Sequence, residues 1–192
     1  MRYYIPLLLS VAVSLSSCNH DKDTKGRLYL DKLESSAGTV KFAPMSRTVA
    51  PSKFKPDTFT YKGVPYTGQV AKYNENDTLM MEGTLDKGIA NGTWTFYYAS
   101  GGVQAKGEYK NGLDVGIWRS YYGYDKVRTE KHYDETGLMR LRIDYYDNGK
   151  VKSWENIHAP EFQDKERLIR YDRGGNITSI YVEDSIHWEE GK

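Results

Sequence analysis

From residue 58 to residue 182 the chain alternates short runs of aromatic and β-branched residues with short polar turns, at about twelve-residue intervals. Thr93-Trp94-Thr95-Phe96-Tyr97-Tyr98 is one such run, with the composition of a strand. Ala99-Ser100-Gly101-Gly102 then supplies backbone freedom for a turn, a second strand runs from Val103 to Tyr109, and Lys110-Asn111-Gly112 turns into the next unit. Asp147-Asn148-Gly149 is the equivalent turn further on, and Asn-Gly readily adopts positive φ. The pattern predicts an all-β fold, an elongated antiparallel meander built from β-hairpins.

The hairpins are copies. Gly68, Gly92 and Gly116 recur at a step of 24 residues, as do Tyr73, Tyr97, Tyr121 and Tyr145, and Leu79, Val103, Val127 and Val151. Gly83 and Gly107 match, and Lys131 then takes the place. A degenerate copy returns after a two-residue insertion, aligning Tyr145 to Val151 with Tyr171 to Ile177. Agreement of several columns at one offset outranks any local reading of secondary structure.

Period-two alternation assigns the columns to faces. Tyr73, Tyr97, Tyr121 and Tyr145 share one face, where they are expected to stack across units and hold the sheet. The opposite face runs Val70, Trp94, Trp118, Arg142, then Lys72, Phe96, Ser120, Asp144, then Asn74, Tyr98, Tyr122, Tyr146. Such variation between copies suits a recognition surface, and a packed inner face varies in the same way, so both readings stand. Glu82, Lys106 and Glu130 alternate in sign down one column and suggest cross-strand ion pairs.

The N-terminus carries a signal of its own. Residues 1 to 17, MRYYIPLLLSVAVSLSS, carry Arg2, an apolar run and small residues, the pattern of a secretory signal too short to span a bilayer. Leu15-Ser16-Ser17-Cys18 resembles the lipobox of bacterial lipoproteins, which implies lipid attachment at Cys18 and a bacterial cell envelope location, at the outer membrane on its periplasmic or surface face. Cys18 is the only cysteine, so it forms no internal disulfide. Residues 18 to 57 read as a lipidated tether and linker in which Arg27 to Glu34, with Leu28, Leu30 and Leu33, is short enough for one strand or helix turn. Asn19 to Gly26 is polar and expected to extend from the lipid, and Asp21 and Asp23 faintly resemble acidic surface-export signals. Residues 183 to 192 form a tail.

Charge and chemistry narrow the function classes. Of 27 basic residues Arg2 leaves with the signal, so 26 face 26 acidic ones, a balance that argues against nucleic acid as a partner. His20, His132, His158 and His187 have no metal-spaced pairing, and there is no nucleophile elbow or phosphate loop, so neither catalytic residues, metal nor cofactor is expected. Asp125, Asp134, Asp144, Asp147 and Asp172 fall at or near turns, where turn propensity accounts for them without calcium.

The pattern Gly-x-Trp-x-x-Tyr-Tyr, a glycine turn, then Val-x-x-x-Gly-x-Tyr-x-x-Gly resembles the bacterial variant of the MORN repeat, typical of the YwqK-like antitoxin family. Gly92-Thr93-Trp94, Tyr97-Tyr98, Lys106 to Gly112 and Gly116-Ile117-Trp118 carry the resemblance, which covers residues 61 to about 157 with a degenerate copy to about 181. Lys131 and Glu155 depart from it where the second-strand glycine should stand, and Trp154 departs where Glu82, Lys106 and Glu130 stand. The resemblance implies a MORN-like repeat sheet, a protein partner and an immunity role in which the domain occludes a toxin. Trp94, Phe96, Tyr98, Trp118, Arg119, Tyr122 and Tyr146 are the expected partner-binding residues, since Trp, Tyr and Arg are the usual interface anchors. The alternative is glycan or cell-wall binding, because aromatic residues on a β surface also stack on sugar rings.

Overall fold

A computed structural model describes residues 21–36, 56–123, 125–157 and 166–183. Cys18, the signal, the middle of the expected linker, His158, His187 and residues 184–192 lie outside the described residues. The strands are β1 (Leu28–Tyr29), β2 (Glu34–Ser35), β3 (Phe59–Tyr61), β4 (Val64–Pro65), β5 (Gly68–Tyr73), β6 (Leu79–Asp86) and β7 (Ile89–Tyr97). They continue with β8 (Val103–Lys110), β9 (Leu113–Tyr121), β10 (Val127–Tyr133), β11 (Met139–Tyr145), β12 (Val151–Asn156), β13 (Glu166–Tyr171) and β14 (Ile177–Glu183). Eleven of them form one sheet in the order β1-β5-β6-β7-β8-β9-β10-β11-β12-β13-β14, and β2-β3-β4 form a second. From β5 onward every pairing is antiparallel between chain neighbours, so the meander read from the sequence is the fold.

Two turn types join the strands, tight turns at one end of the sheet and wider loops at the other, and the β10–β11 loop from Asp134 to Leu138 breaks the alternation as a wider loop at the tight-turn end. Lys87-Gly88 and Asn111-Gly112 each place two successive residues at positive φ, the geometry of tight two-residue hairpins. At the other end the loops opening at Asn74, Tyr98, Tyr122, Tyr146 and Asp172 share one bond, from the opening residue's N–H to the carbonyl four residues on. The fourth residue of each of these loops is left-handed: Asp77, Gly101, Asp125, Gly149 and Gly175. The Asn148-Gly149 turn therefore uses positive φ only at its glycine, as a type I turn with a following bulge does.

The core lies on one face of β5–β9, where Val70, Leu85, Trp94, Phe96, Ala105, Tyr109 and Trp118 pack together. The N-terminal segment closes it. Leu28, Leu30, Leu33 and Phe59 are buried in the same cluster. β1 adds to the sheet edge in parallel with β5, a 3-10 turn follows at Leu30–Lys32, and β2 pairs with β3 in the small sheet. Residues 21–36 are therefore part of the fold and not a tether. Three leucines in six residues are too short a run to reveal that an edge strand waits for them.

Asp21 and Asp23 likewise hold structure. Tyr61 donates to the Asp21 carboxylate. Asp23 takes the Arg27 guanidinium at 2.6 Å and the Tyr73 hydroxyl at 2.9 Å, and Arg27 also pairs with Glu82. Burial opposes the charge on Asp23, but the bonds from Arg27 and Tyr73 outweigh it and hold its pKa below the ordinary carboxylate value.

The Tyr73 column differs from expectation. Tyr73, Tyr97, Tyr121 and Tyr145 sit on alternate strands, about 10 Å apart, so a strand intervenes between successive rings and they do not stack. Tyr97 instead donates to Glu82 at 2.6 Å, and burial together with that carboxylate pushes its pKa up to about 12. Glu82 and Lys106 are separated in the same way by Thr95, so the column's ion pairs form with other groups, Glu82 with Arg27 and Glu130 with Arg119.

Candidate functional site

The expected partner-binding residues separate into three environments. Trp94 and Trp118 are fully buried and Phe96 nearly so, which removes all three from any accessible surface and assigns them to the core. The reason is a device used twice. Each indole lies over the glycine 11 residues before it, where a Cβ on Gly83 or Gly107 would come within 2.1 Å of the Trp94 or Trp118 ring. Each indole N–H donates to a backbone carbonyl, Thr84 at 3.1 Å and Glu108 at 3.0 Å. Tyr109 stands edge-on between the two indoles, its ring centroid 5.9 Å from Trp94 and 4.9 Å from Trp118.

Tyr98, Tyr122 and Tyr146 are half-buried at the loop end of the sheet and act as links between copies. Their hydroxyls donate to the carbonyls of Tyr121, Tyr145 and Tyr171 at 2.6, 2.8 and 2.9 Å. Each therefore ties its own hairpin to the next. Arg119 points from the opposite face to Trp118 and binds Glu130 at 2.7 Å, with His132 on the other Glu130 oxygen at 2.6 Å. Burial disfavours the Glu130 charge, but His132 and Arg119 together keep its pKa below the ordinary value. The seven residues thus make no single surface.

Sequence reasoning missed the site that the same column builds further along. At β10 and β11 the glycine and tryptophan of the device become Lys131 and Arg142, directly paired across the strands. No ring fills the space, and the core face opens into two adjoining hollows. One, of about 380 Å³, is lined by Gln104, Ala105, Ser120, Arg128, Thr129, Lys131 and Arg142. The other, of about 260 Å³, shares Arg128, Thr129 and Arg142 and adds Tyr122, Asp144, Tyr145 and Lys152.

Asp144 is the organising acid of this cleft. Its carboxylate accepts from Thr129 Oγ1 at 2.7 Å, Ser153 Oγ at 3.1 Å and the Arg142 guanidinium at 3.0 Å. Arg142 Nε is buried without a hydrogen-bond partner. Burial and the neighbouring Arg142 pull the Lys131 pKa down, with Asp114, Asp144 and Glu155 working against that shift. The signal was present in the sequence: the departure at Lys131 and the Arg142 in the Trp column are the two changes that open the cleft.

A second surface lies at the far edge. β14 is the last strand of the sheet, and Ile177, Ile180, Tyr181 and Val182 on it are 45 to 61% exposed. On its core face the described part of the sheet is therefore packed in the N-terminal half and open in the C-terminal half, while hollows of about 280 and 130 Å³ that include Thr93 lie over β5–β9.

Residues 90–111 match the MORN repeat variant. This chain carries a MORN repeat. The matched segment is one hairpin, from Ala90 in β7 through β8 to Asn111 in the tight turn, and it holds Trp94, Gly107 and Tyr109. No curated protein and no solved structure matches the chain. MORN repeats generally serve as protein- or membrane-binding modules.

Proposed function

We propose that this MORN-repeat chain is a protein-binding module, not a catalyst, held at the bacterial envelope by a lipid on Cys18. The observation that carries the reading is the division of the sheet. β5–β9 spend their aromatic face on the core, whereas β10–β14 leave a cation-lined cleft and an exposed aliphatic edge. Open apolar and charged surface on a rigid repeat scaffold favours recognition. The finer reading is an immunity protein of the YwqK-like antitoxin kind that captures a toxin with this C-terminal half. Burial of Trp94, Phe96 and Trp118 takes away the stacking platform on which glycan binding was argued, so the protein partner is preferred.

Crosslinking capture from native membranes tests this. A secreted toxin or secretion-system effector should be recovered with the native chain and lost with Ile180→Asp and Tyr181→Ala, both exposed positions. Capture that is unchanged by these variants, or recovery of glycan alone, would sink the assignment.

A further inference from the structure

We propose that the cleft across β8–β12 is a binding site for an extended acidic segment, its carboxylates contacting Arg128, Lys131, Arg142 and Lys152. The inference rests on the binding-module reading above and names the chemistry of the partner. Two columns of the repeat change together at β10. The column that carries Gly83 and Gly107 turns to Lys131, and the column that carries Met80 and Gln104 turns to Arg128 and then Lys152. Neither change serves the core, because Lys131 and Arg142 face each other where a glycine and an indole would pack without charge.

The cations are placed to receive something. Among the described residues Arg128 has no ion-pair partner, and Lys152 lies only over the Tyr146 ring, 6.0 Å from its centroid. Arg142 gives one edge of its guanidinium to Asp144 and keeps a buried Nε unpaired. Arg forks suit planar oxyanions, and Ser120 and Thr129 add hydroxyls on the floor. The hollows share three residues and run from Gln104 on β8 to Lys152 on β12, four strand steps or about 19 Å. Cations spread over that length fit carboxylates spaced along an extended chain better than one small ion. Asp144, with Glu155 and Asp114 near Lys131, tempers the positive field and disfavours a densely charged polyphosphate. The cations also line a hollow and do not crown a convex patch, which argues against a flat anionic membrane.

Fluorescence anisotropy of a labelled hexaglutamate peptide with the purified full chain tests the site. Binding should saturate, weaken as salt rises, and fall at least about tenfold in the double variant Arg128→Gln, Lys152→Gln. The melting temperature of that variant should stay unchanged, since both side chains are exposed. Arg142→Gln should weaken binding in the same direction. No saturable binding, equal binding by the folded double variant, or binding seen only with inorganic phosphate or phosphatidylglycerol vesicles would overturn the proposal. Toxin capture that persists while the peptide fails would overturn this site and leave the module reading standing.

Discussion

At Gly107 the missing Cβ decides whether Trp118 can lie flat on the preceding strand. Gly107→Ala is expected to destabilise the fold by at least about 1–3 kcal/mol, because the ring it meets is fully enclosed and has nowhere to move. Trp118→Ala should cost about 3–5 kcal/mol through the void it leaves, read as a lower urea midpoint at unchanged slope. Either variant with native stability would contradict the core assignment. A second residue-scale expectation concerns acid. Asp134 is held at a pKa of about 2: burial opposes its charge, but bonds from Thr136, Arg140 and the Leu138 and Thr136 amides prevail. A folded pKa below the unfolded value gives stability that is complete above about pH 4 and is lost as pH falls toward 2. Asp134→Asn should therefore flatten the acid limb of the stability curve between pH 4 and 2, and an unchanged limb would show that Asp134 contributes nothing to it.

At the scale of elements, the sequence carried the strands and turns clearly and the faces poorly. The step of 24 residues and the Asn-Gly and Gly-Gly turns located the hairpins, because turn chemistry and strand composition are local properties. Which face is buried depends on what covers it. Trp94, Phe96 and Trp118 suit a partner and a core equally by type, and packing across strands settles the matter: each indole lies on a glycine of the preceding strand with Tyr109 between them, and Leu28, Leu30, Leu33 and Phe59, from outside the repeat frame, join the same cluster. The Arg27 cluster was illegible for the same reason, since its partners Tyr73 and Glu82 lie 46 and 55 residues away. Removing Arg27 strands the buried Asp23 carboxylate, so Arg27→Ala should destabilise by about 3–5 kcal/mol. Hydrogen exchange should show the loss first in the amides of β1 and β5, where the N-terminal segment joins the sheet. Uniform loosening across β5–β14 would contradict a local latch. Between hairpins, Tyr122→Phe removes one hydroxyl bond to Tyr145 and should cost about 0.5–1.5 kcal/mol in thermal denaturation.

Over the whole molecule, one repeat is used for two purposes. Copies whose glycine and tryptophan are intact stack into the core, and the copy that carries Lys131 and Arg142 instead opens the sheet to solvent and charge. In a repeat array each unit depends mainly on its neighbours, so the C-terminal units can diverge without unfolding the N-terminal ones. Site-specific photocrosslinking in native membranes tests this division most directly, with the reactive group placed in turn at Thr93, Lys106, Arg128, Lys152 and Ile180. One protein partner should be trapped from Arg128, Lys152 and Ile180 and not from Thr93 or Lys106. Trapping of that partner from Thr93 and Lys106 instead, with the C-terminal positions silent, would contradict the division.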